Sequence, residues 1–120
     1  MPKNILITIA KQWFDAFNEH NLDKLLSLYH DKAQHYSPKL RARHPESNGM
    51  LIGKQALRVW WQDSFERIPS LKYVPQRLIA DKSAVFMEYI RYADGEESFF
   101  VGEVLEIKNK LIISSHVYHG

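Results

Sequence analysis

A chain of 120 residues with 45% hydrophobic content is long enough for one core and one domain spanning 1–120, and sixteen Lys and Arg against fourteen Asp and Glu leave a net charge of only +2. That balance excludes the strong field of a nucleic-acid or anionic-membrane binder, and the lack of cysteine excludes a disulfide framework, a thiolate nucleophile and Cys-ligated zinc. The N-terminal apolar run is too short for a signal peptide and no stretch approaches membrane-span length, so the expected location is the cytoplasm.

Leu6, Ile9, Ala10, Trp13, Phe14 and Phe17 recur at helical spacing and predict an amphipathic helix from about Ile5 to His20. Asn21 can cap a second short helix carrying Leu22, Leu25, Leu26 and Tyr29, with Asp23 near its positive end. A short strand in AQHYSP is stopped by Pro38. The polar stretch from Lys39 to Gly53 reads as a long loop, a candidate lid, since its Pro, Asn-Gly and Gly are turn residues. Its cluster of Lys39, Arg41, Arg43 and His44 reads first as a solvated loop, with a lid over an acidic or carboxylate substrate as the functional alternative, and nucleic acid is disfavoured because no stacking aromatic interleaves it.

A third helix runs from Lys54 to about Ile68 on the period of Leu57, Trp60, Trp61, Ser64 and Phe65, and Pro69 ends it. Four strand-like runs follow, at Leu71 to Ala80, Ala84 to Tyr92, Ser98 to Lys108 and Leu111 to His119, joined by short turn sequences into an antiparallel meander. Pro75 assigns the first of them to an edge or a bulge. The order ααβαββββ gives an α+β domain with helices over one face of a curved sheet.

One carboxylate interrupts an apolar strand face: Phe99, Val101, Glu103, Leu105 and Ile107 alternate inward. A carboxylate there must be paired, reach water or stay protonated, and each outcome implies a cavity or a specific partner. The bland alternative is a salt bridge or hydrogen bond to Arg91 or Tyr89 on the neighbouring strand. The opposite face, with Phe100, Gly102 and Val104, is also partly apolar and has no helix left to cover it, which predicts a homodimer joined sheet to sheet.

The segments WFDAFNEHNLDKLLSLYHDKAQHYSP, GKQALRVWW and EVLEIKNKLIISSHVYHG resemble the nuclear-transport-factor-2-like superfamily, and within it the SnoaL-like proteins. The resemblance implies a cone-shaped curved antiparallel sheet wrapped by three N-terminal helices, the NTF2-like or cystatin-like roll. It also brings in a range of activities, among them ketosteroid isomerase, polyketide cyclases, scytalone dehydratase, limonene epoxide hydrolase, plain ligand binders and protein-binding transport factors. Aligned with ketosteroid isomerase, the oxyanion tyrosine falls at Trp13, the general-base aspartate at Ser37 and the oxyanion carboxylic acid at Glu103, so only the last keeps its chemistry. The Arg and Asp pair of limonene epoxide hydrolase falls on Tyr89 and Arg91, and its last-strand Asp on Val117, so that machinery is missing.

The candidate catalytic groups are therefore Glu103 as acid or base, with His35 and His116 as second proton carriers. The candidate pocket is lined by Trp13, Phe17, Ser37, Trp60, Tyr89, Arg91, Phe99 and Val101. Of the adjacent Trp60 and Trp61, which point about a hundred degrees apart, Trp60 is the one expected to line it. Six histidines include no HExxH, and His116 and His119, three apart on a strand, face opposite sides, so no metal is expected. The expected ligand is a small hydrophobic carbonyl or hydroxyl compound. The activity classes are cofactor-free isomerisation, cyclisation or dehydration, against a non-catalytic binder and a protein-interaction module.

Overall fold

The computed structural model describes residues 1–119. Its elements are α1 (Lys3–Asn18), α2 (Leu22–Leu26), β1 (Tyr29–Tyr36), α3 (Pro38–Arg43), a 3-10 turn at Pro45–Ser47, β2 (Met50–Ile52), α4 (Lys54–Arg67), β3 (Lys72–Asp81), β4 (Ala84–Tyr92), β5 (Phe99–Lys108) and β6 (Leu111–His119). The strands form one curved sheet in the order β2-β1-β6-β5-β4-β3, antiparallel throughout except for the parallel β1 and β6 pair. The α+β class, the curved sheet and the helical cover on one face stand as expected.

The aromatic stripe of α1 buries Leu6, Ile9, Ala10, Trp13, Phe14 and Phe17, and the helix lies against β3 and β4. Burying each of the larger side chains contributes about 1.5–3 kcal/mol. Asn21 caps α2, its side chain accepting from the Lys24 amide. Tyr29 does not complete that helix; it opens β1 and is fully buried.

The segment after Pro38 departs most from expectation. Instead of a long loop it holds α3, the 3-10 turn and β2, and the order becomes ααβαβαββββ. Pro38 starts a helix rather than only ending a strand: at the first helical position its missing N–H costs nothing, and the Ser37 hydroxyl caps the turn by accepting from the Lys39 amide. Pro75 lies on edge strand β3, with a register shift between Pro75 and Arg77 that absorbs the lost ladder bond.

A second irregularity governs the site. Ile107 pairs with Ile112 but Glu106 pairs with Ser114, so Ile113 is the extra residue of a bulge in β6. Before it, Ile112 points inward; after it, Ser115, Val117 and His119 do. The bulge thus swaps which parity of β6 faces the helices.

Candidate functional site

The inner face of the sheet and helices α1, α3 and α4 enclose a cavity of about 280 Å3, just below the roughly 300–1,000 Å3 typical of ligand sites. Cross-strand pairing stacks its sheet wall in levels, each about 7 Å from the next because inward residues alternate. Leu105, Ser115 and His35 share the deepest level; then come Met87, Glu103 and Val117; then Tyr89, Val101 and His119; and finally Arg91 and Phe99.

The deepest level carries a hydrogen-bond chain. The Trp13 indole N–H donates to the Tyr29 hydroxyl at 3.0 Å, Tyr29 donates to Ser115 Oγ at 3.0 Å, and Ser115 Oγ lies 2.7 Å from His35 Nδ1. Indole only donates, so polarity runs one way: Tyr29 accepts from Trp13 and passes its own proton to Ser115. Ser115 has no other acceptor among the described residues, so its hydroxyl donates to His35 Nδ1 and the imidazole proton sits on Nε2. Burial, followed by the nearby His116, lowers the His35 pKa to about 3, so the ring is neutral. Burial, then Glu103, pushes the Tyr29 hydroxyl far above its ordinary range, keeping it a donor.

One level outward stands Glu103, 1% exposed. Its Oε1 accepts from the Tyr89 hydroxyl at 2.7 Å, and its Oε2 is the one buried side-chain polar atom without a hydrogen-bond partner among the described residues. Burial raises its pKa to about 7, with the Tyr89 bond pulling the other way. Tyr89, itself held protonated by burial and by Glu103, stacks on Tyr73 with ring centroids 4.3 Å apart. Glu103 is paired with Tyr89, as the bland alternative allowed, and not with Arg91, whose Nη1 donates to Glu96 at 2.8 Å.

Of the anticipated pocket residues, Trp13, Phe17, Ser37, Trp60, Tyr89 and Arg91 line the cavity, as do Val101 and the candidate acid-base residues Glu103 and His35. Ser37 is buried and occupied as the cap of α3. Trp61 lines the cavity together with Trp60, because the two flank it from one helix rather than dividing between wall and core. Phe99 is not among the lining residues; its ring lies behind the mouth, 5.5 Å from both Lys39 Nζ and Arg91 Cζ.

His116 is a correction. It stands on the outer face, stacked between Tyr36 and Tyr118, because the bulge at Ile113 gives the inward positions to Ser115, Val117 and His119. It is therefore no proton carrier for this cavity. His119 and Tyr73 line the cavity instead, and neither was anticipated from sequence as a pocket residue. Strand alternation counted back from Glu103 across the β5–β6 pair would have found His119. Among the described residues, no cluster of three or more His, Asp or Glu is arranged to hold a metal ion. No helix is long and apolar enough to cross a membrane.

This arrangement resembles known proteins. Residues 10–115 match the family model of the SnoaL-like domain. A SnoaL-like protein of unknown function from Burkholderia thailandensis superposes with a TM-score of 0.87 at 21% identity, over 100% of this chain and 98% of that one. A candidate ketosteroid isomerase from Kribbella flavida gives 0.81 at 15% identity, over 98% and 79%. TerC, co-crystallised with polyporic acid, gives 0.83 at 11% identity, over 97% and 92%. At these identities the likeness is one of fold. No curated protein matches the chain.

Proposed function

The chain belongs to the SnoaL-like domain family, and from that premise we propose that its cavity binds a small, flat, hydrophobic carbonyl compound and moves a proton beside the carbonyl without a cofactor. The observation that carries this reading is Glu103: a fully buried carboxyl whose Oε2 is unpartnered at the wall of an aromatic cavity. A pKa near 7 leaves both protonation states populated near neutrality, which suits a group that takes a proton and returns it.

In the proposed cycle the Glu103 carboxylate removes a proton from the carbon next to the carbonyl. Negative charge collects on the carbonyl oxygen as the enolate forms, and the His35 Nε2–H, neutral and fixed in tautomer by Ser115, donates to that oxygen. Protonated Glu103 then returns its proton to the γ-carbon of the dienolate where the ketone is β,γ-unsaturated, giving isomerisation, or to a hydroxyl departing from the β-carbon, giving dehydration. Trp60, Trp61 and Tyr73 hold the ring system by stacking.

The test uses 2-tetralone in deuterated buffer, following by NMR the exchange of the protons beside its carbonyl. Exchange above the buffer rate, falling about 100-fold or more in Glu103→Gln, is the expected result for a positioned general base. Tetralone that raises the melting temperature without accelerated exchange assigns the chain to the binder class instead. One observation favours that second reading: His116 lies outside the cavity and His35 is held neutral, so neither of the two anticipated second proton carriers titrates beside Glu103 near neutral pH. Tetralone that neither binds nor exchanges overturns both.

The outer sheet face belongs to a homodimer in this proposal. Phe100 is 59% exposed there, with Phe86, Tyr92 and Tyr118 around it, and Arg77 pairs across strands with Glu88, so the face carries both signs of charge and suits a second copy of itself. Phe100→Glu is expected to convert a dimer to a monomer in sedimentation; a wild-type monomer overturns the interface.

A further inference from the structure

The outer end of the cavity differs in chemistry from its floor. Lys39 on α3, Arg43 at the end of α3, Arg67 at the end of α4 and Arg91 on β4 all reach the cavity lining. Four cations from three elements meet there, and the acids around them satisfy only part of the set. Asp63 takes Arg67 at 2.8 Å and Arg43 at 3.8 Å, and Glu96, the one carboxylate in the mouth, takes Arg91. Lys39 has no carboxylate within ion-pair distance among the described residues.

Arg91 is the more telling of the two. Its side chain is 4% exposed, yet of its donors only Nη1 is engaged by a protein acceptor among the described residues. A guanidinium has five N–H donors, and those of Arg91 that Glu96 does not engage are not among the buried unpartnered atoms, so they are open to an acceptor from the cavity that Arg91 lines. Lys39 and Arg91 also crowd one ring, each 5.5 Å from the centre of Phe99. Burial and then the charge of Arg91 hold the Lys39 amine below its ordinary range. An anion between the two would relieve the repulsion and satisfy the free donors at once.

We propose that the ligand of this cavity carries a carboxylate at its outer end, seated between Lys39 and Arg91, opposite the carbonyl or hydroxyl that meets Glu103. This rests on the pocket reading above and adds the substrate class: a flat aromatic or alicyclic acid. The spacing suits two fused rings. Glu103 and Arg91 stand two levels apart, about 14 Å along the strands, a span that a fused two-ring acid covers with one hydrogen bond at each end. The order of chemistry along the cavity is then neutral donor, carboxyl, aromatic wall and cation pair, which fixes the direction in which such a molecule enters.

Isothermal titration calorimetry of the whole chain with three probes tests this: 6-hydroxy-2-naphthoate, its neutral amide 6-hydroxy-2-naphthamide, and 2-naphthol. The acid is expected to bind about tenfold tighter than the amide at neutral pH, the scale of one charge-assisted contact. In Lys39→Gln, a part-exposed site whose change leaves the core untouched, that advantage falls to about threefold. Equal affinity of acid and amide for the wild type, with naphthol bound, overturns the carboxylate inference alone. Failure of all three probes to bind overturns the pocket reading and the inference together. An acid preference that persists unchanged in Lys39→Gln overturns the seat between Lys39 and Arg91.

Discussion

Replacing Glu103 by Gln is expected to change how stability depends on pH. Burial raises this carboxyl from an unfolded value of 4.5 to about 7, so between those values the folded state holds a proton that the unfolded chain releases. By linkage, stability is full below the unfolded pKa and falls as pH rises through the folded one. The full loss is 2.5 pH units at about 1.4 kcal/mol each, roughly 3.5 kcal/mol, of which about 2.5 kcal/mol falls between pH 5 and pH 8. Gln keeps the shape and still accepts from Tyr89, but cannot ionise. Urea unfolding of wild type and Glu103→Gln at pH 5, 6, 7 and 8 isolates the effect, because every other titrating group is common to both chains. His35 is the group to cancel: its folded pKa is depressed to about 3, so its contribution is present above the unfolded value near 6.5 and lost as pH falls. The wild type should lose about 2.5 kcal/mol relative to the variant from pH 5 to pH 8. A difference that stays flat across this range means Glu103 titrates as an ordinary exposed acid, and refutes the buried, half-partnered carboxyl on which the proposed proton transfer depends.

Three further outcomes follow from the same geometry. Tyr89→Phe removes the only hydrogen bond to the Glu103 carboxyl among the described residues and should cost about 1–3 kcal/mol in urea unfolding while moving the Glu103 titration further upward, since that bond holds it down. Ser115→Ala strands both Tyr29 and His35; nitrogen-15 spectra of His35 should show a single Nε2–H tautomer in the wild type and a mixture in the variant, with about 1–3 kcal/mol lost. Ser37→Ala deletes the α3 cap at a cost of about 1 kcal/mol, seen as a lower urea midpoint with an unchanged slope.

The alternation of β4 and β5 and the helical periods of α1 and α4 were legible because burial on one side writes a regular pattern into sequence, and Glu103 was legible as the break in it. The misread segments are those where one residue type serves two purposes. Pro38 ends β1 and begins α3, and only the Ser37 hydroxyl behind it distinguishes a stop from a start. The facing of His116 and His119 depended on an extra residue at Ile113 that looks, in sequence, like one more apolar strand position. Ser115 gave no sign of its role, since a serine in a strand is common and its partners Tyr29 and His35, on the neighbouring strand β1, lie at the other end of the chain. The cation pair was half visible as the charged run after Pro38; Arg91 joins it only because the fold brings α3 and β4 to the same end of the cavity, both beside Phe99.

The two rims of the sheet carry a consequence for assembly. A strand with free N–H and C=O groups along its side is a template on which another chain can grow, and six strands in an open sheet have two such sides. Here one rim is β2, only three residues long, and the other is β3, broken by Pro75 and its register shift and carrying Lys72, Arg77 and Asp81. Neither offers the long flat run that lateral polymerisation needs, so copies of this chain are steered away from ribbon-like growth. In the proposed homodimer association falls to the broad outer face, where pairing two copies would use up the surface and close the assembly.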